Sequence, residues 1–237
     1  YGRGEQKELD KYCESVTYYQ RGKSKAKLLS KLPFVVATRK SEKLLKNLNK
    51  NAYPVLIEGL HNCWFLERLK PSKRLVAVRT HNVEHDYYQG LSKVEKSLFK
   101  KQFFVTEAKK LKAFESVLVK ADLLLSISPN DTDYFNTKYK NAKYLSAFHS
   151  GEEVTGKIGK GAFALYHGNL GVGENNQASL YLIDVFSKLD YPLVLAGSDP
   201  SKELIKKVSQ SKNISLSVNI SFTEMEALIA DAHINIL

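Results

Sequence analysis

The sequence predicts an α/β protein. Short runs that are apolar at nearly every position alternate with longer stretches of helical periodicity, the pattern of parallel strands covered on both faces by crossover helices. Two of these runs end in polar clusters: His81-Asn82-Val83-Glu84-His85 follows Leu75–Arg79, and His167-Gly168-Asn169-Leu170-Gly171-Val172-Gly173 follows Phe163–Tyr166. Open parallel sheets gather their ligands at the carboxyl ends of strands, so the two clusters read as two ligand-binding half-sites facing a cleft.

Taken in order, the strand candidates are Pro54–Glu58, Leu75–Arg79, Leu123–Ile127, Phe163–His167, Leu193–Ala196, Ile214–Val218 and Ile234–Leu237. Helical periodicity falls near residues 39–49, 91–119, 130–137, 175–188, 201–209 and 223–231. Several helix starts carry their own signals. Ser128-Pro129-Asn130-Asp131 offers a capping hydroxyl, a proline at the first helical position and an early carboxylate. Asp199-Pro200 repeats the logic, and Ser221-Phe222-Thr223-Glu224 has capping-box spacing. These are structural signals.

A boundary is expected between residues 145 and 162, where glycines cluster, helical periodicity lapses and the charge reverses. Residues 1–150, the expected first domain, hold 29 Lys and Arg against 15 Asp and Glu, a net of +14; residues 151–237, the expected second, hold 7 against 10, a net of −3. The basic half suits an anionic membrane surface, a phosphorylated substrate or nucleic acid, or is a solubilising lysine surface. Its lysines are spread out with no compact arginine stripe, and no nucleic-acid module is recognisable, so no nucleic-acid partner is expected. Both ends read as cut: the chain opens in a polar segment and stops in Ile234–Leu237, an unfinished buried strand by its pattern.

Composition removes several function classes. Cys13 and Cys63 have no metal-type spacing to each other or to histidine, which leaves disulfide and zinc readings without support and makes a reducing cytoplasm the default. No apolar run is long enough to cross a bilayer, and Tyr1-Gly2-Arg3-Gly4 does not begin a signal peptide. There is no Gly-x-Ser-x-Gly elbow and no Walker phosphate loop. The Gly-x-x-Gly-x-Gly spacing of Gly168, Gly171 and Gly173 differs from the dinucleotide fingerprint, which counts against a nicotinamide or flavin dehydrogenase.

Among candidate site residues, His81 stands first, because an imidazole donates, accepts or carries charge near neutral pH. His85 lies four residues on, but with His81 in a loop and no third ligand evident, no metal is expected. The alternative for His81 and Asn82 is that they satisfy backbone groups at a strand end. Glu84 and His85 complete this first cluster, although His85, Asp86, Tyr87 and Tyr88 also read as packing or capping residues of the next helix. In the second half, Gly168, Asn169, Leu170, Gly171, Glu174, Asn175 and Gly197 line the second half-site, where glycines admit close approach and amides at a helix start suit a diphosphate. The alternative there is a glycine-rich turn with no ligand, capped by Glu174 and Asn175. His61 borders the first half-site, with Trp64 and Phe65 favouring packing, and His233 reads as a core or cleft-wall residue.

The order of these motifs resembles a bacterial glycosyltransferase of the GT-B fold, close to the retaining family-4 group and its mannosyltransferase-like members. Arg79-Thr80-His81-Asn82-Val83-Glu84-His85 is similar to the acceptor-side histidine loop, Ala121–Ser128 to the last strand of the first domain, and Leu165-Tyr166-His167-Gly168-Asn169-Leu170 to the first strand and donor loop of the second. The resemblance implies two Rossmann-like domains, each incomplete at the end where the chain is cut. It further implies transfer of a hexosyl group from a nucleotide-sugar to a glycan or lipid-linked acceptor, with retention at the anomeric carbon. The implied setting is polysaccharide biosynthesis in the cytoplasm, with peripheral attachment at the inner face of the membrane. No cofactor and no divalent metal are implied, the nucleoside-diphosphate sugar being the donor substrate. Where many members place Arg and Lys soon after the donor-loop glycine, this chain reads Gly171-Val172-Gly173-Glu174-Asn175-Asn176-Gln177, so phosphate contact falls to backbone amides. Two other functions compete: a GT-B-fold sugar-nucleotide epimerase, and a noncatalytic glycan-assembly or nucleic-acid-binding module.

Overall fold

The computed structural model describes residues 5–22, 24–69, 74–149, 153, 154, 156 and 159–236. The chain divides into two compact α/β units, residues 1–92 with 97–148, and residues 93–96 with 149–237. Each contains one four-stranded parallel sheet, in the order β1-β2-β3-β4 in the first and β7-β6-β5-β8 in the second.

In the first unit, β1 (Val55–Glu58), β2 (Val76–Thr80), β3 (Leu123–Ser126) and β4 (Ala142–Tyr144) pair in the register Val55↔Val76, Ala77↔Leu123 and Leu124↔Ala142. The inner strand β2 buries Val76, Ala77 and Val78, whereas edge strand β1 leaves Leu56 exposed, so the expectation of two covered faces holds only inside the sheet. A 3₁₀ segment, Leu60–Arg68, follows β1 and delivers Leu60, Cys63, Trp64, Phe65 and Leu66 to the core. Burial raises the Cys63 thiol above its usual range, so it acts there as a small hydrophobe.

The short α1 (Phe34–Ala37) and α2 (Glu42–Leu48, capped by Ser41) precede the sheet; α3 (Glu84–Val94), α4 (Leu98–Phe114) and α5 (Pro129–Tyr139) follow β2 and β3. The single helical stretch expected over 91–119 is in fact two helices. Ser97 takes an extended conformation before Leu98 and restarts the helix, and the end of the stretch tightens into a 3₁₀ turn, Glu115–Lys120. α5 starts where the sequence placed it, with Ser128 Oγ accepting from the Asp131 amide, and it ends on Lys140 in the left-handed region (φ 63°). β4 was not expected: it has three residues, of which only Ala142 is buried, too short a pattern to read.

A buried carboxylate ties these elements together. Glu115 is fully buried, a state that costs heavily unless the charge is partnered. Its Oε1 accepts from Tyr134 Oη (3.0 Å), Tyr139 Oη (3.3 Å) and Lys138 Nζ (2.5 Å), Tyr139 Oη also donates to its carbonyl, and His85 Nδ1 lies 3.2 Å from Oε2. Three partners come from α5 and one from α3, so one charge fixes two helices against the end of α4.

In the second unit, β5 (Ala164–Asn169), β6 (Leu193–Ser198), β7 (Ile214–Val218) and β8 (Ile234–Ile236) are connected through α6 (Gly173–Phe186), α7 (Lys202–Ser209) and α8 (Phe222–Asp231). Leu165, Leu170, Leu193, Leu195 and Leu204 are fully buried. Asn213 Nδ2 lies 2.9 Å from each of the carbonyls of Phe186, Leu189 and Tyr191, which pins the turn between α6 and β6. α8 carries the expected capping box, Ser221 with Glu224. β8 pairs with β5 as an edge strand with Ile234 about half exposed, so the buried strand expected there is not seen; Leu237 lies outside the described residues. Of the expected linker, residues 150–152, 155, 157 and 158 also lie outside them. Among the described residues, no helix is long and apolar enough to cross a membrane.

Burial, followed by the negative charge of Glu115, pushes the Tyr139 phenol from 10.0 up to about 12. A group that holds its proton longer in the folded state gives stability that is complete below its unfolded pKa and is lost as pH rises through the folded one. The melting temperature is therefore expected to fall between pH 10 and 12, and to fall less steeply in Tyr139→Phe. Identical slopes for the two proteins by circular dichroism would contradict the assignment.

Candidate functional site

Gly59 decides the geometry at the end of β1. Its φ of 81° turns the chain sharply out of the strand, its amide donates to the Arg79 carbonyl (2.8 Å), and a Cβ there would sit 2.5 Å from the His61 ring. The turn sets Glu58, on the last residue of β1, beside the end of β2. Glu58 Oε2 lies 2.7 Å from His81 Nε2, and its other oxygen is 3.5 Å from Arg79 Nη1. Arg79 in turn lies over the Phe148 ring, 5.0 Å from its centroid.

A second imidazole–carboxylate pair stands next to the first. His61, from the 3₁₀ segment, has its ring 6.5 Å from that of His81 in an edge-on arrangement, and its Nδ1 lies 3.8 Å from Glu84 Oε1 in the first turn of α3. The four groups come from four elements: the end of β1, the 3₁₀ segment, the loop after β2, and α3. With Glu58 accepting from Nε2–H, neutral His81 keeps Nδ1 as an acceptor, the tautomer a general base or a hydroxyl-orienting group requires.

Of the residues expected on the acceptor side, His81 and Glu84 enter this cluster and Asn82 is an exposed neighbour. His85 does not join them: only 4% exposed, it faces Glu115 and has a structural role. His61, read as bordering this half-site or packing beside Trp64 and Phe65, sits in the cluster. Glu58 was missed altogether, because its partner lies 23 residues away and no local pattern announces the contact. Among the described residues no group of three or more His, Cys, Asp or Glu side chains is arranged to hold a metal.

In the second unit, strands β5, β6 and β7 run outward in one direction and β8 lies on the other side of β5. The strand order therefore reverses at β5, and the carboxyl end of β5 borders the switch point where such sheets open a ligand crevice. That end is His167-Gly168-Asn169. Asn169 shapes the loop: its Oδ1 accepts from the Gly171 amide (3.0 Å) and its carbonyl accepts from Asn175 Nδ2 (3.0 Å). α6 then starts at Gly173 after Val172, with no side-chain cap, so its first amides have no partner within the helix. Glu174 is exposed in that first turn, while Leu170 is fully buried and contributes packing. His233, expected in the core or a cleft wall, is exposed and packs at the other end of β5, its amide bonded to the Phe163 carbonyl.

Gly197 has a φ of 155°, and a Cβ there would lie 1.7 Å from the Gly168 carbonyl oxygen. Only glycine lets the ends of β5 and β6 close to this distance. The hollow on the surface of α2, about 400 Å³ and lined by Glu42, Leu45, Lys46, Asn49 and Lys50, includes none of these groups.

Gly197→Ala is expected to destabilise the protein by at least about 2 kcal/mol, since both the clash and the backbone conformation oppose it. Urea unfolding checks this, and a loss below about 0.5 kcal/mol would mean that β5 and β6 separate freely at this end.

No protein-family model and no curated protein matches the chain. Among solved structures it is similar to accessory secretory protein 1, 2 and 3 of Streptococcus pneumoniae, at 13% identity and a TM-score of 0.42 over 82% of this chain and 38% of that one. It is likewise similar to the glycosylation associate protein complex (Gap123) of Streptococcus agalactiae, at 14% identity and a TM-score of 0.40 over 84% of this chain and 40% of that one. The chain thus spans about two-fifths of the chains it matches, and likenesses of this strength carry no argument about function.

Proposed function

We propose that the protein is a GT-B-type, family-4-like glycosyltransferase that moves a hexosyl group from a nucleotide-sugar to a glycan or lipid-linked acceptor. The observation that carries this reading is the reversal of strand order at β5, which coincides with a glycine-lined loop and the uncapped start of a 14-residue helix. A diphosphate carries concentrated negative charge, and a helix amino terminus offers outward amides and a favourable dipole.

On this reading the leaving diphosphate rests against the amides of Gly173, Glu174 and Asn175, which stabilise the charge it gains as the glycosidic bond breaks. No divalent metal is needed. Gly168 and Gly197 keep side chains out of the loop, and Asn169 and Asn175 hold its shape. The acceptor hydroxyl is received by His81, which Glu58 orients through Nε2, while Glu84 acts through His61. Retention fits an attack from the face the diphosphate leaves, with the departing phosphate taking the acceptor proton.

A noncatalytic role in glycan assembly is favoured by one feature: residues 171–177 contain no Arg or Lys to grip a diphosphate. A thermal-shift panel with uridine-, guanosine- and adenosine-diphosphate sugars in metal-free buffer separates the readings. A ligand at a hundred times its dissociation constant stabilises by about 2.7 kcal/mol, a readable shift. The transfer reading expects a shift with one base family, kept in His81→Ala, while release of the nucleoside diphosphate onto acceptor falls at least tenfold in His81→Ala and in Glu58→Gln. No shift with any of the three would leave the noncatalytic reading.

A further inference from the structure

The first sheet presents two chemically different faces. Its strands follow one another across the sheet in chain order, β1-β2-β3-β4, and parallel crossovers are right-handed, so every connection passes over the same face. On that face Ile57, Val78, Leu124 and Ala142 stand in one register row and are buried. The helices α1 to α5 all join that buried cluster, through Val36, Leu45, Tyr88, Leu111 and Phe135.

The opposite face is built from the alternate positions. Leu56, Ala77 and Leu123 form one row, and Glu58, Arg79, Leu125 and Lys143 the next. None of these side chains belongs to the buried cluster; Leu56 is 60% exposed, and Leu123 and Leu125 are half-buried. Glu58 and Arg79 answer each other's charge at 3.5 Å, and Phe148 stacks on Arg79. Lys143, by contrast, is exposed and has no acidic partner among the described residues.

A parallel sheet ordinarily has helices on both faces, because its strands turn apolar side chains both ways. The three spacings from β1 to β4 add to about 14 Å, room for one helix of about 10–12 Å diameter. A second copy of the chain would bring together two bodies of like charge, since residues 1–150 carry a net +14. The same charge, with Lys143 unpaired at the edge of the face, favours an acidic occupant.

We infer that the row Leu56-Ala77-Leu123, with Leu125 and Lys143 beside it, is a docking face for one amphipathic helix of a partner protein, its apolar stripe on the leucines and its acidic residues toward Lys143. The inference goes beyond the transfer reading and does not depend on it, because docking is read without donor or acceptor.

The test is amide chemical-shift titration of the chain with a synthetic helical peptide of about 18 residues, leucine along one stripe and glutamate elsewhere, and with its counterpart carrying lysine for glutamate. Saturable changes are expected at Leu56, Ala77, Leu123 and Lys143 with the glutamate peptide, and binding about tenfold weaker or less with the lysine peptide. Leu56→Ser should weaken the glutamate peptide about tenfold and Lys143→Glu about fivefold, both with far-ultraviolet circular dichroism unchanged. No binding of either peptide, equal binding of both, changes confined to other residues, full affinity in both variants, or a dimer of the chain alone that Leu56→Ser dissolves in sedimentation equilibrium would each overturn it.

Discussion

Parallel pairing is the constraint on which both units depend. With every strand of each sheet running in one direction, each connection must cross over the sheet, and all the carboxyl ends of the strands gather on one edge. The consequence is chemical. Glu58 and His81 meet because β1 and β2 end side by side, and Gly168 and Gly197 meet because β5 and β6 do. Neither meeting is local in sequence.

The buried charge at Glu115 works together with that constraint. Its hydrogen bonds hold Tyr134, Lys138 and Tyr139 of α5, and His85 of α3 faces it at 3.2 Å, one residue after Glu84, which faces His61. The polar cluster after β2 is thus split by function. His85 turns inward to complete a structural network, and His81 and Glu84 stay at the sheet edge. The same division recurs in the second unit, where Leu170 fills the core while its neighbours Asn169 and Gly171 shape the loop.

Strand positions were legible because a buried parallel strand is a dense apolar run: six of the expected strands coincide with observed ones to within two residues at either end, and the seventh, Ile234–Leu237, ends in a residue outside the description. Capped helices were legible for the same local reason, at Ser128 and Ser221 above all. What escaped were features set by distant partners or by very few residues. β4 buries one side chain, and the 3₁₀ segment after Gly59 mixes His61 and Asn62 with core aromatics and so shows no period. Glu58 and Glu115 look like ordinary acidic residues until folding brings a histidine to each. Strand order, which locates the switch point at β5, has no signature in the sequence at all.

Residue-resolved amide chemical-shift mapping with uridine and guanosine diphosphate shows whether the edge formed by β5 and the start of α6 receives a nucleoside diphosphate, as proposed. Saturable changes are expected at Gly168, Gly171, Glu174, Asn175 and Gly197, with the amides around Glu115 and Phe135 unmoved. Changes confined to other residues, or none with either nucleotide, would contradict it.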